Sequence, residues 1–226
     1  MNAPDGPLAI LFDIDGTLIS SGGAGAVAWR EAFRDLYGIP ADIGKFTDAG
    51  MTDPEVGRLT FEAVIGHAPS ARELAQVLAR RQRHLPRAVA ESDGYRVLPG
   101  VPERLEQLHD DGYLLGLTTG GTEAAAHIKL ARAELNHYFC FGGYGSDSPD
   151  RVQLTRKAIE RGGVTLGHRL DPSRAIVVGD TPLDVSAAHG AGAVAVGVAT
   201  GHFSVDELRA TGAEHVLATL EEPLPL

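Results

Sequence analysis

The sequence predicts an α/β protein, a doubly wound parallel sheet interrupted early by an α-helical insert. Three observations carry this. The first apolar run, Leu8 to Phe12, is short and continuous, as befits a strand covered on both faces. From about residue 93 onward short apolar runs alternate with helical stretches, the pattern of βαβ units with helices on both faces of a sheet. Between about residues 20 and 92 the periodicity is helical and no strand is expected. The expected division is a Rossmann-like α/β core made of residues 1–19 and 93–226, with a helical cap over 20–92.

Each element has its own warrant. In GAVAWREAFRDLYG, Trp29, Phe33, Leu36 and Tyr37 share one helical face and Gly38 ends the helix. The helical pattern of 39–91 is expected to break at Pro40, Pro54, Pro69 and Pro86. Within it Leu74, Val77, Leu78 and Leu85 keep helical spacing. PGVPERLEQLHDDG reads as a helix from Pro102 closed by Gly112, and YLLGLTT as a strand. TEAAAHIKLARAEL is a helix and HYFCFGG a short strand. Ser148 to Arg161 is a helix with Pro149 at its first position. SRAIVVGD is a strand, and TPLDVSAAHG a helix ended by Gly190. AVAVGVA is a strand, Ser204 to Thr211 a helix opened by a Ser204–Glu207 capping box, and HVLATL a last strand.

Composition narrows the class. The chain has 226 residues, enough for one large domain or a domain with an insert. Its formal net charge of −10 argues against nonspecific nucleic-acid binding. The single cysteine, Cys140, cannot form an internal disulfide and fits a reducing compartment as a buried packing residue. MNAPDGP lacks the basic and apolar blocks of a signal peptide, and no apolar run reaches membrane-span length. The expected setting is the cytoplasm, with no membrane or nucleic-acid partner, as a monomer or homodimer.

Ligands of open α/β sheets bind outside the carboxyl ends of the strands, so chemistry is expected at those ends. The first strand ends in Asp13, with Asp15 two residues on and pointing the same way in an extended chain. YLLGLTT ends in Thr118 and Thr119, followed by Gly120 and Gly121, and SRAIVVGD ends in Asp180. Asp13 with Asp180 makes a hard oxygen site suited to Mg²⁺, which offsets the repulsion between the carboxylates. Gly120 and Gly121, opening a helix, expose backbone N–H groups to an anion, and Gly16 and Thr17 are placed to do the same. A metal, anion-binding amides and spare carboxylates point to phosphoryl transfer, where an enzyme chiefly positions groups and neutralises charge. A carboxylate nucleophile working through an aspartyl-phosphate is an established route.

These residues carry a resemblance. FDIDGTL resembles the D-x-D-G-T motif of the haloacid dehalogenase-like superfamily, LGLTTGG its second motif, and VVGDTPLD its fourth, G-D-x-x-x-D. A helical cap after the first motif is similar to the phosphoglycolate phosphatase-like branch. The resemblance implies that Asp13 attacks phosphorus and that Asp15 protonates the leaving oxygen, then activates water. It also implies that Mg²⁺ is held by the Asp13 and Asp180 carboxylates and the Asp15 backbone carbonyl, with Thr119 on a phosphate oxygen and Asp184 supporting the metal. An Asp at position 15 points to phosphatases and phosphomutases. The implied activity is a Mg²⁺-dependent phosphatase acting on a small phosphorylated metabolite such as phosphoglycolate. A sugar phosphomutase and a non-catalytic relative are the alternatives.

The third motif departs from the pattern, because no Lys stands at the expected place after HYFCFGG. Arg151 is the candidate, and at a helix N-terminus it requires an anionic partner. Lys129, roughly 10 Å along its helix, reads as too far, and Lys157 likewise. Asp184 is equally well explained as the partner of Thr181 in a capping pattern. Thr118 is the fallback for Thr119. The run RRQRH at 80–84 reads as a solvated helix face, Trp29 and Phe33 as cap core, and Thr47, Asp48, Thr52 and Asp53 as groups at the cap's mouth. Gly22, Gly23 and Gly25 suit a hinge. The nine histidines show no metal-ligand spacing.

Overall fold

All four side chains of Ala9–Phe12 (β1) are buried, which places this strand at the centre of a sheet. The structure, a computed structural model, describes residues 8–226. The opening segment read for a signal peptide lies outside the described residues. Leu114–Thr119 (β4) and Ala175–Gly179 (β6) flank β1, both parallel to it. Gly142–Tyr144 (β5) adds beyond β4, and Val194–Val198 (β7) and His215–Leu217 (β8) add beyond β6. The order is β5-β4-β1-β6-β7-β8, so the chain reverses direction of growth beside β1. Strand ends open a crevice at such a switch point.

Period-2 alternation sets the layers. Ile10 and Phe12 face Leu105 and Leu108 of Val101–Asp110 (α4) and Leu130 of Glu123–Ala131 (α5). Ala9 and Leu11 face Ala158 and Ile159 of Arg151–Leu166 (α6) and Val185 and Ala188 of Pro182–Ala191 (α7). Val205–Ala210 (α8) opens with both bonds of the Ser204–Glu207 capping box in place.

Three helices fill the early insert: Ala24–Tyr37 (α1), Asp53–Ile65 (α2) and Ala71–Ala90 (α3). They bury a core of their own, with Trp29, Phe33, Val56, Phe61 and Val77. A second cluster joins Ala24, Ala28, Leu85 and Val89 to Ala125 of α5, tying this layer to the sheet.

Several elements differ from expectation. A two-stranded antiparallel ribbon, Ile19–Ser21 (β2) with Tyr95–Val97 (β3), stands where the chain leaves and re-enters the sheet. Three residues per strand are too few to print an alternation. Pro86 does not break its helix: it lies inside α3, exposed, while Pro54 sits in the first turn of α2. HYFCFGG is mostly not strand, since Asn136–Tyr138 form a 3₁₀ turn and β5 starts only at Gly142. α6 starts at Arg151 behind an Asp150 cap, so Pro149 is not its first residue, and Gly192, not Gly190, ends α7 in the left-handed conformation. Cys140 is exposed rather than buried. Among the described residues no helix is long and apolar enough to cross a membrane.

Candidate active site

The backbone turns sharply after β1. Asp13 still pairs with β6, its N–H donating to Val178 O at 2.9 Å. Gly16 then adopts φ +91°, a conformation that L side chains rarely take, and its N–H closes the turn on Ile19 O at 2.8 Å. A side chain at Gly16 would also overlap the Asp180 carboxylate. The turn sends Asp13 and Asp15 to different partners. Asp13 Oδ1 lies 3.5 Å from Arg151 Nη2, and Asp15 Oδ2 accepts from Lys129 Nζ.

Asp13 belongs to a knot of acids. Carboxylate oxygens of Asp13, Asp180 and Asp184 all lie within 4.8 Å of one another, and all three residues are buried. Burial and the neighbouring Asp184 raise the Asp13 carboxyl to about 7. Burial, then Asp13 and Asp184, raise Asp180 to about 8. Asp180 keeps one hydroxyl donor, Thr17 Oγ1 at 3.2 Å. Asp184 is engaged on both oxygens: Oδ2 accepts from Thr181 N at 3.0 Å and Thr181 Oγ1 at 2.7 Å, and Oδ1 from Arg151. Asp184 is therefore both the capping partner of Thr181 and an anionic partner of Arg151. Crowded, protonation-prone carboxylates in an all-oxygen set fit a hard divalent cation, which would replace the protons that otherwise relieve the repulsion.

Two cations face this knot and its mouth. Arg151, first residue of α6, meets the anionic partners its position requires, Asp184 and Asp13. Lys129 overturns its dismissal on distance. It is buried in α5, whose turn is pinned by Tyr95 Oη donating to Lys129 O at 2.6 Å, and its ammonium reaches Asp15. Distance along the helix axis does not decide the reach, because α5 runs beside the turn that carries Asp15 and a lysine's four-carbon stem covers the remainder. Burial alone would raise the Asp15 carboxyl, but the charge and hydrogen bond of Lys129 hold it below its ordinary range.

The anion-binding candidates divide. Thr119, Gly120 and Gly121 line a cavity of about 240 Å³ together with Asp13, Asp15, Lys129 and Arg151. Thr118 points away, bonded to Thr155 at 3.0 Å in the interior. Gly121 N–H is turned onto Thr119 Oγ1 at 3.3 Å. Gly16 and Thr17 are not among the residues that line this cavity; the Gly16 N–H is used in its own turn and the Thr17 hydroxyl in holding Asp180.

The insert supplies the other wall. Residues Gly50 to Asp53 cross to the sheet: Arg151 Nη1 donates to Gly50 O at 2.6 Å, Asp53 N to Gly120 O at 2.7 Å, and Thr122 N to Asp53 Oδ2 at 2.9 Å. Thr52 Oγ1 donates to Pro149 O at 3.0 Å. Asp53 is thus a wall residue, whereas Arg80 and His84 face outward onto Asp35. Arg81 contradicts the reading of its run as solvated, being only 2% exposed and lining the cavity. The signal was in the spacing: Val77, Arg81, Leu85 and Val89 fall every four residues on the buried stripe of α3.

A family model of haloacid dehalogenase-like hydrolases matches residues 7–192. The chain is 29% identical over 225 residues to "Probable phosphatase IndB" of Dickeya dadantii, covering 94% of this chain and 90% of that one. It is 30% identical over 204 residues to a phosphoglycolate phosphatase of Vibrio cholerae, covering 85% and 84%. A solved structure described as a candidate β-phosphoglucomutase from Bacteroides vulgatus superposes with TM-score 0.69 at 21% identity, covering 95% and 85%, a likeness of fold.

Proposed function

The chain belongs to the haloacid dehalogenase-like hydrolases, and from that premise we propose that it is a phosphatase, removing the phosphoryl group of a small metabolite through an aspartyl-phosphate on Asp13. The observation that carries the reading is the separation of Asp13 from Asp15. One acid sits in the carboxylate knot beside Arg151, the other is paired with Lys129, and both open on one small cavity with Thr119. The relatives named as phosphatases, phosphoglycolate phosphatase among them, support it.

The roles follow from position. Asp13 Oδ attacks phosphorus, and the bond to the leaving oxygen breaks. Asp15 gives that oxygen its proton, then takes one from the water that hydrolyses the acyl phosphate. Lys129 couples these steps to binding. A phosphoryl dianion entering the cavity competes for the Lys129 ammonium, and Asp15 loses part of what keeps it acidic. Its proton affinity rises, so it takes up a proton from solvent and has one to pass to the leaving oxygen. Arg151 and Thr119 steady the phosphoryl oxygens. Asp13 and Asp180, backed by Asp184, would hold a divalent cation, Mg²⁺ by the hardness of the donor set. When bound it supplies charge neutralisation for nucleophile and phosphate.

Residues 20–92 act in this reading as a cap. Gly22 and Gly23 are left-handed at φ +60° and +83°, and a side chain at Gly22 would overlap Gly94 on the returning strand, so both crossings are compact glycine joints. The lone cysteine and acidic charge suit a cytoplasmic enzyme.

The test is release of phosphate from p-nitrophenyl phosphate, with Mg²⁺ and with EDTA, by wild type and Asp13→Asn. Metal-dependent release that falls at least about a thousandfold in the variant is expected. A variant at wild-type rate sinks the mechanism. Conversion of glucose-1-phosphate to glucose-6-phosphate without net phosphate release would move the assignment to a phosphomutase.

A further inference from the structure

Arg81 is an unusual place to bury a charge. It is one of the largest fully buried side chains, yet its fork is only partly used. Nη1 donates to Asp53 Oδ2 at 2.8 Å, and the guanidinium lies over Trp29, 5.5 Å from the ring centroid. Nε is buried with no partner. A purely structural arginine–carboxylate pair is commonly bidentate, with two parallel bonds. Here the pair is made through one nitrogen, and Asp53 turns the same oxygen to Thr122 N. Leaving a buried N–H without an acceptor costs about 1–3 kcal/mol.

The position of that fork gives it a use. Arg81, Trp29 and Asp53 all line the cavity that holds Asp15 and Lys129, and they come from α3, α1 and α2. The positive charge of Arg81 is felt at Asp15 across that space. The sheet contributes the groups that handle a phosphoryl group, and the insert contributes one buried donor fork fixed by an acid and an aromatic ring. The cavity is small, about 240 Å³, so a short substrate held at Asp13 lies beside this wall.

We propose that Arg81 is a specificity-determining residue, its guanidinium fork donating to a carboxylate at the end of the substrate remote from the phosphoryl group, with Asp53 and Trp29 holding the guanidinium for that contact. The inference rests on the phosphatase reading and names its substrate class: short phosphomonoesters whose leaving group ends in a carboxylate. Arginine suits this task because its planar fork matches a carboxylate and stays charged when buried. A site built around a buried donor rejects an analogue that lacks the acceptor far more strongly than a pocket rejects a missing methylene.

The experiment compares three phosphomonoesters that differ only at the far end: 2-phosphoglycolate, 2-hydroxyethyl phosphate and ethyl phosphate. kcat and KM are measured with Mg²⁺ for wild type, Arg81→Lys and the charge-balanced double variant Arg81→Met with Asp53→Asn. Wild type is expected to prefer phosphoglycolate to ethyl phosphate by about 100-fold or more in kcat/KM. In the double variant that ratio falls at least about tenfold, with the change mostly in KM for phosphoglycolate. Arg81→Lys, which keeps the charge and loses the fork, falls between, and it carries the test alone if the double variant does not fold. A structural role would slow all three esters alike and leave the ratio where it was; that result overturns the proposal. So does a wild type that prefers ethyl or hydroxyethyl phosphate, or one active only on p-nitrophenyl phosphate, and in both cases the phosphatase reading stands. Absence of metal-dependent release from every ester, p-nitrophenyl phosphate included, overturns the phosphatase reading and this one with it.

Discussion

Replacing Asp180 by Asn should make the metal-free protein more stable, although it removes a residue of the candidate site. Asp180 is 2% exposed and stands at about 8 against an ordinary 3.8, because burial and the charges of Asp13 and Asp184 disfavour its ionised form. A carboxyl raised in the folded state binds a proton that the unfolded chain has already lost. Its stabilising contribution is therefore complete below pH 4 and is lost as pH rises through 8. Each tenfold change in acidity is worth about 1.4 kcal/mol, which sets an upper bound of about 5–6 kcal/mol on the penalty at pH 8 and above. Asp13, itself raised to about 7, shares the same repulsion, so about half of that, 2–3 kcal/mol, is expected from neutralising Asp180 alone. Asn preserves an oxygen for the Thr17 hydroxyl, now at 3.2 Å, so little else is disturbed.

For a chain of this size each kcal/mol moves the midpoint by about 2–4 °C, so the variant in EDTA at pH 8 should melt about 4–12 °C above wild type. At pH 5 both carboxyls of the folded wild type are protonated, and what remains is about 1 kcal/mol for protonating a group that the unfolded chain keeps ionised, so the difference should shrink to about 2–3 °C. Millimolar Mg²⁺ should raise the wild-type midpoint at pH 8 and leave the variant nearly unmoved, since a ligand stabilises only the state that binds it. Thermal melts by circular dichroism at the two pH values, with EDTA and with Mg²⁺, give all of these. A variant that melts at or below wild type at pH 8 in EDTA would refute the argument that the carboxylate knot is under electrostatic strain.

Three further outcomes are expected. Lys129→Met removes the cation that holds Asp15 acidic, so the alkaline limb of the kcat/KM profile, set by Asp15 as general acid, should move to higher pH and the rate should fall about 10²-fold or more; an unmoved limb would detach Lys129 from Asp15. Pro86→Ala restores a backbone donor inside α3 at an exposed position, and the gain, reduced by the looser unfolded chain, should be about 1–2 kcal/mol by denaturant melts. Gly201→Ala places a methyl group onto the Asp180 carboxylate; it should cost about 2–4 kcal/mol and weaken the Mg²⁺-induced rise in melting temperature, both read in the same thermal melts.

What the sequence made legible is what lies at strand ends. β1, β4 and β6 are continuous apolar runs, so Asp13, Thr119 and Asp180 could be placed by reading where each run stops, and the alternation with helices gave the parallel sheet around them. The β2–β3 ribbon was invisible because three residues carry no period, and its strands mark the point where the insert departs. The residues misread share one cause. Distance along the helix puts Lys129 out of reach and charged neighbours put Arg81 in water, but each is a cation set into a buried stripe. Lys129 stands with Ala125, Ala126 and Leu130, and Arg81 with Val77, Leu85 and Val89. On a helix the face, not the local run, decides which side chains leave water. A charge on that face is costly to bury, so it persists where an opposite charge meets it, as Asp15 and Asp53 do here. Those two acids are also the ones that line the cavity away from the carboxylate knot, so a cation interrupting an apolar stripe points, in this fold, to the wall of the site.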